Sequence, residues 1–194
     1  PELKRLYVSV TVLSSAWDVH QFLVPLYGAG IGLSASSIGL VLGAFSVATF
    51  IVRLLLPFIS RRVADWHLIL GAMASSTLVY VVYPQFPVLP AMLALSFVLG
   101  LGLGTAQPMM MVVLHRESPP ERIGEAAGLR LTLINGTQTF LPTAFGAFGS
   151  AFGLAAIFWG MAAMIGGGGA YVAHGLRREV RLRRPAAASR AGRP

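Results

Sequence analysis

The chain contains no cysteine, and only 11% of its 194 residues are charged. The first absence removes disulfides, Cys metal sites and thiol nucleophiles. The second excludes an ordinary soluble domain, in which about 25% of residues are charged. Catalytic signatures are also missing: there is no GxxxxGK[ST], no HExxH and no GxSxG. The Gly100–Gly104 string lies within an apolar run with no strand before it, so it is not a nucleotide loop. No enzyme, metal or cofactor is expected. No cleavable signal peptide is recognisable either, because the apolar run from Leu6 is too long for an h-region and no A-x-A site follows it.

What the chain has is apolar length. Hydrophobic residues make up 55% and mean hydropathy is +0.71, which places it in the membrane class. Six runs read as spans: 6–28, 36–60, 67–83, 89–114, 124–148, and a last one ending near His174. Each is long enough, or nearly so, to cross a hydrocarbon core of ~30 Å. This predicts an all-α membrane protein with a cytoplasmic segment 1–5, a six-span bundle 6–175 and a basic, structureless tail 176–194.

The net charge of +8 does not indicate nucleic acid, because the cations lie between and after the spans. Lys4, Arg5, Arg61, Arg62, Arg116 and Arg122 all fall on one side of the predicted topology, as does the basic tail, and none falls in the other three loops. The positive-inside rule then puts both termini in the cytoplasm, and a bacterial inner membrane is the expected location.

Spans one to three and four to six would have opposite orientations, the pattern of two inverted three-helix repeats. Proline falls in corresponding spans. Pro25 is 19 residues past Leu6, and Pro108 is 19 past Leu89. Pro142 interrupts span five. These three prolines are the expected helix breaks. Gly39/Gly43, Gly100/Gly104 and Gly149/Gly153 are small residues four apart, suited to close helix contact. The Gly166–Gly169 run has no specific reading at this level.

Span one carries Asp18 at its middle, where an ionised acid costs roughly 2.5–3.5 kcal/mol on insertion scales. Helical periodicity groups Ser14, Asp18, Gln21 and Pro25 on one face, with Trp17 deep beside them. His20 is about 200° round from Asp18 and reads as a helix contact. Span five groups Asn135, Gln138 and Pro142, and span four places Gln107 next to Pro108. Asp18, Gln21, Trp17, Gln107, Asn135 and Gln138 are therefore the candidate substrate and proton pathway. Arg130 and Arg53 lie ~9 Å and ~10 Å from the cytoplasmic ends of their helices, against ~18 Å for Asp18. They are candidates for an ion pair with Asp18 or for gating.

The chain resembles the C-terminal half of a major facilitator superfamily transporter, over roughly residues 5–175. The residues that carry the resemblance are Leu33-Ser-Ala-Ser-Ser-Ile-Gly39, Arg53–Arg62, Gly100-Leu-Gly-Leu-Gly-Thr-Ala-Gln-Pro108 and Glu121–Arg130. The loop after span two lacks the acid and both glycines of the family's G-x-L-x-D-R-x-G-R-R-like motif, so the gating contacts of that motif are not carried over. The resemblance implies half of a twelve-helix secondary carrier working by alternating access, moving a small molecule, with protons as the coupling ion and efflux among its directions. Its partners would be the lipid bilayer and either a missing N-terminal half or a second copy; the opening Pro1 favours a fragment. The competing expectation is a non-transporting six-span module, a sensor or assembly domain acting as a dimer.

Overall fold

The structure is a computed structural model that describes residues 2–191, with side chains described as far as Arg178. Among the described residues, all regular structure is helical. It comprises α1 (Glu2–Gly30), α2 (Ala35–Ile59), α3 (Asp65–Val82), α4 (Leu89–Glu117), α5 (Ile123–Phe152) and α6 (Leu154–Ala191). Short 3-10 turns at Tyr83–Gln85 and Pro120–Arg122 precede α4 and α5.

The helix ends follow local chemistry. Ser34 caps α2, its hydroxyl accepting from the Ser37 amide at 3.2 Å, which satisfies one of the otherwise orphaned first-turn donors. The α1–α2 and α5–α6 connections each turn on a glycine with positive φ, Gly32 at 82° and Gly153 at 84°, a conformation that side-chain-bearing residues resist. The last helix does not stop near His174. Its backbone continues as helix to Ala191 through a stretch rich in Arg, Leu and Ala, which are strong helix formers. Residues 192–194 of the expected tail lie outside the described residues.

Among the described residues, four elements are long and apolar enough to cross a membrane: Ala35–Ile59, Asp65–Gln85, Leu89–Glu117 and Leu154–Arg178. Helices α1 and α5 are as long, at 29 and 30 residues, but less apolar, because they carry Asp18, His20 and Gln21 or Arg130, Asn135 and Gln138. Polar residues dilute hydropathy in these two helices.

α4 packs chiefly against α2 and α3, α6 against α3, and α1 against α5, α6 and α4; α1 touches all five other helices. It is the central element, with Leu6, Val10, Ala16, Leu23 and Val24 fully buried. Gly100 and Gly104 bring α4 onto α2: a Cβ at Gly100 would strike the Phe45 carbonyl, and one at Gly104 would lie 2.6 Å from Val52. Gly102 faces the other way, and a Cβ there would sit 2.5 Å from the Ser75 hydroxyl of α3. The close approach lets Thr49 donate to the Gly100 carbonyl at 3.3 Å. This helix contact agrees with the sequence pattern. At Gly39 and Gly43 the pattern misleads, since a Cβ at either meets nothing within 4 Å. The spacing marks a smooth helix face and does not say whether a helix of the same chain covers it.

Candidate functional site

Helices α1, α2, α4 and α5 enclose a cleft of about 310 Å³ lined by Ser14, Trp17, Asp18, Arg53, Gln107, Ile134 and Gln138. Each helix supplies its polar face because lipid offers such groups no partner. Asp18 stands on α1 with its Oδ1 accepting from Gln138 Nε2 of α5 at 3.3 Å. Its Oδ2 is buried and has no hydrogen-bond partner among the described residues. One turn nearer the N-terminus, Gln107 of α4 joins two neighbours. It donates from Nε2 to Ser14 Oγ at 3.3 Å and accepts at Oε1 from Arg130 Nη2 at 2.6 Å.

The structure thus gathers Trp17, Asp18, Arg53, Gln107 and Gln138 around one cleft and ties Arg130 to it through Gln107. It does not gather Gln21 and Asn135, which are exposed and outside the lining. The expected ion pair is not formed: among the described residues neither Arg53 nor Arg130 bridges Asp18. Arg130 reaches the level of Ser14, which is four residues, or ~6 Å, short of Asp18. Arg53 instead lies over the ring of Trp17, with its guanidinium carbon 5.9 Å from the centroid, at the limit of a cation–π contact. Trp17 is held edge-on by Phe45 of α2 at 4.8 Å.

The expected helix breaks are not breaks. α1, α4 and α5 run without interruption through Pro25, Pro108 and Pro142. Proline removes one backbone bond, yet the turns on either side keep theirs, so a long packed helix survives it. Measured from the observed helix starts, Pro25 lies 23 residues past Glu2 and Pro108 lies 19 past Leu89. The two positions differ by about one turn.

Behind the cleft is a second polar cluster that sequence reasoning missed except for one member. His20, fully buried, stacks on Phe45 with ring centroids 4.3 Å apart and places Nε2 3.0 Å from Ser96 Oγ. The Tyr83 hydroxyl shares that Ser96 oxygen at 3.0 Å, and Tyr80 donates to the Ala16 carbonyl at 2.5 Å. These residues are up to 76 apart in sequence and no local motif links them. His20 accordingly serves as a helix contact on the far side of α1 from Asp18.

Among the described residues, no three His, Asp or Glu side chains converge in a way that could hold a metal. The cleft thus sets one carboxyl group, on Asp18, and one guanidinium, on Arg53, on different walls. Long helices of lipid-compatible composition around a polar cleft fit an integral membrane helical bundle. Residues 6–194 match the sequence profile of the Major Facilitator Superfamily, and the chain belongs to that family of membrane transporters. No curated protein matches the chain significantly.

Proposed function

We propose that the chain forms the C-terminal half of a proton-coupled secondary carrier working by alternating access, with Asp18 as the group that takes up the proton or a cationic substrate. The observation that carries this reading is the buried, unpartnered Oδ2 of Asp18 on the wall of the cleft. A carboxylate oxygen without a donor in a poorly solvated site is destabilised as an anion and stabilised by a proton or a cation. The second oxygen is held only by Gln138 on α5, so movement of α5 against α1 alters the environment of the acid. Arg130, tied to Gln107 one turn away, is near enough to change its influence on Asp18 in a second conformation. That would couple the proton to the solute.

The packing pattern supports two inverted three-helix repeats. Exchanging α1 with α4, α2 with α5 and α3 with α6 turns the α2–α4 contact into α5–α1 and the α3–α4 contact into α6–α1, and all four are present, whereas the α5–α6 contact has no comparable α2–α3 counterpart. The open face of α2, where Gly39, Gly43, Val47, Phe50 and Leu54 have no covering helix, suits a second six-helix half. The cation distribution supports cytoplasmic termini, in a bacterial inner membrane.

The test is ethidium efflux in inverted membrane vesicles containing the intact protein, with and without an imposed pH gradient. Wild-type vesicles should move the dye faster with the gradient, and Asp18→Asn should abolish the difference. Equal gradient-driven rates in both would refute the assignment.

A further inference from the structure

We infer that the groove between α3 and α6 holds one acyl chain of an anionic phospholipid, whose headgroup is met by Arg177 and His67. The groove has a volume of about 530 Å³ and is lined on α3 by residues from Leu70 to Val81 and on α6 by residues from Ile165 to Ala173. It exists because Gly166 and Gly169 bring little bulk to the contact: a Cβ there would lie 3.4 Å from Thr77 Cγ2 or 3.5 Å from Met73 Cβ. The glycine run thus hollows the outer edge of a helix pair whose inner edge is packed.

The occupant follows from the chemistry of the walls. The lone side-chain hydroxyl in the lining, on Thr77, donates to the Met73 carbonyl of its own helix at 2.8 Å. The groove therefore presents apolar surface and asks for no hydrogen bond. Leu70 to Val81 spans about 16 Å along α3, about half of the ~30 Å hydrocarbon core. That is room for a single chain entering from one membrane surface. The two helical stripes continue past the groove at one end. His67 is one turn before Leu70, Arg177 is one turn after Ala173, and both are exposed. Asp65, in the same first turn of α3 as His67, is paired with Arg116 at 2.7 Å, so the exposed Arg177 favours a negative headgroup at this end. At the other end the exposed Trp159 donates from its indole to the Val81 carbonyl at 3.3 Å. Trp159 and Arg177 are 18 residues apart on α6, or about 27 Å, which sets the tryptophan and the arginine near opposite membrane surfaces.

The experiment is native mass spectrometry of the full chain in detergent, titrated with phosphatidylglycerol or phosphatidylcholine. One retained lipid per chain is expected, with about a fivefold preference for phosphatidylglycerol, the scale of one favourable cation near an anionic headgroup. Arg177→Gln should erase the preference and leave phosphatidylcholine binding unchanged. Ala170→Phe, which fills the groove, should lower retention of both lipids, whereas Ala163→Phe, equally exposed on α6 but outside the lining, should not. Equal retention of the two lipids by the wild type overturns the inference. So does an equal loss in both phenylalanine variants, or a second copy of the chain as the species that Ala170→Phe removes. Arg177→Gln leaves the helix interface untouched, so it decides the headgroup question even if Ala170→Phe fails to fold.

Discussion

Arg130 on α5 donates from Nη2 to Gln107 Oε1 on α4 at 2.6 Å, and its Nε, also buried, has no partner. A guanidinium held at this depth by one amide depends heavily on that amide. Gln107→Leu removes the acceptor, and the loss of a charge-assisted bond at a part-buried site corresponds to about 1.5–3 kcal/mol. A lower unfolding temperature in detergent is expected. Gln107→Glu keeps an acceptor at the same reach and should restore the wild-type value. A wild-type melting temperature for Gln107→Leu would show that Arg130 finds water instead.

Asp18→Asn separates stability from function. The amide keeps an oxygen that can accept from Gln138, so the bond at 3.3 Å can persist. The unfolding temperature should move by no more than about 2 °C, in keeping with a nearly isosteric change. Asp18→Leu loses that bond, worth about 0.5–1.5 kcal/mol net where the Gln138 amide is exposed, so it should melt lower. If the two variants melt alike, Gln138 contributes nothing to holding α5 on α1.

Much of the fold was legible because membrane spans are written in runs of apolar residues, and the runs beginning at Ser36, Leu89 and Gly124 start within one residue of α2, α4 and α5. The polar face of α1 was legible for the same reason that any helix face is: Ser14 and Asp18 are four apart and both line the cleft. The partners were not legible. Nothing local says that Arg130 reaches Gln107 and not Asp18, because that depends on the relative height of α4 and α5. Nor does spacing show that Ser96 serves both His20 and Tyr83. The same limit explains Gly39 and Gly43, whose pattern matches that of Gly100 and Gly104 but whose surroundings are open.

Those two glycine pairs give a controlled comparison. Gly100→Ala places a methyl against the Phe45 carbonyl and 2.9 Å from Ala48 Cβ, so α2 and α4 must separate. Overpacking of this kind costs typically ~1–3 kcal/mol. Gly39→Ala meets nothing and gains helix propensity of up to ~1 kcal/mol. Thermal unfolding of the two variants should therefore move in opposite directions. A shift of the same sign and size in both would mean that the α2–α4 contact is looser than the Thr49–Gly100 bond at 3.3 Å implies.

The buried cluster behind the cleft can be tested by its coupling. Ser96 Oγ lies 3.0 Å from both His20 Nε2 and the Tyr83 hydroxyl, and His20 Nδ1 already lacks a partner. Ser96→Ala strands both ring groups at once, and each unsatisfied buried group costs about 1–3 kcal/mol. Tyr83→Phe removes one of the two stranded groups, so adding it to Ser96→Ala should cost less than adding it to the wild type. The expected coupling in the double-mutant cycle is ~0.5–3 kcal/mol, read from unfolding in denaturant. Strict additivity would mean that Ser96 bonds only one of the two at a time. That one would be His20, and Tyr83 would be held by packing alone.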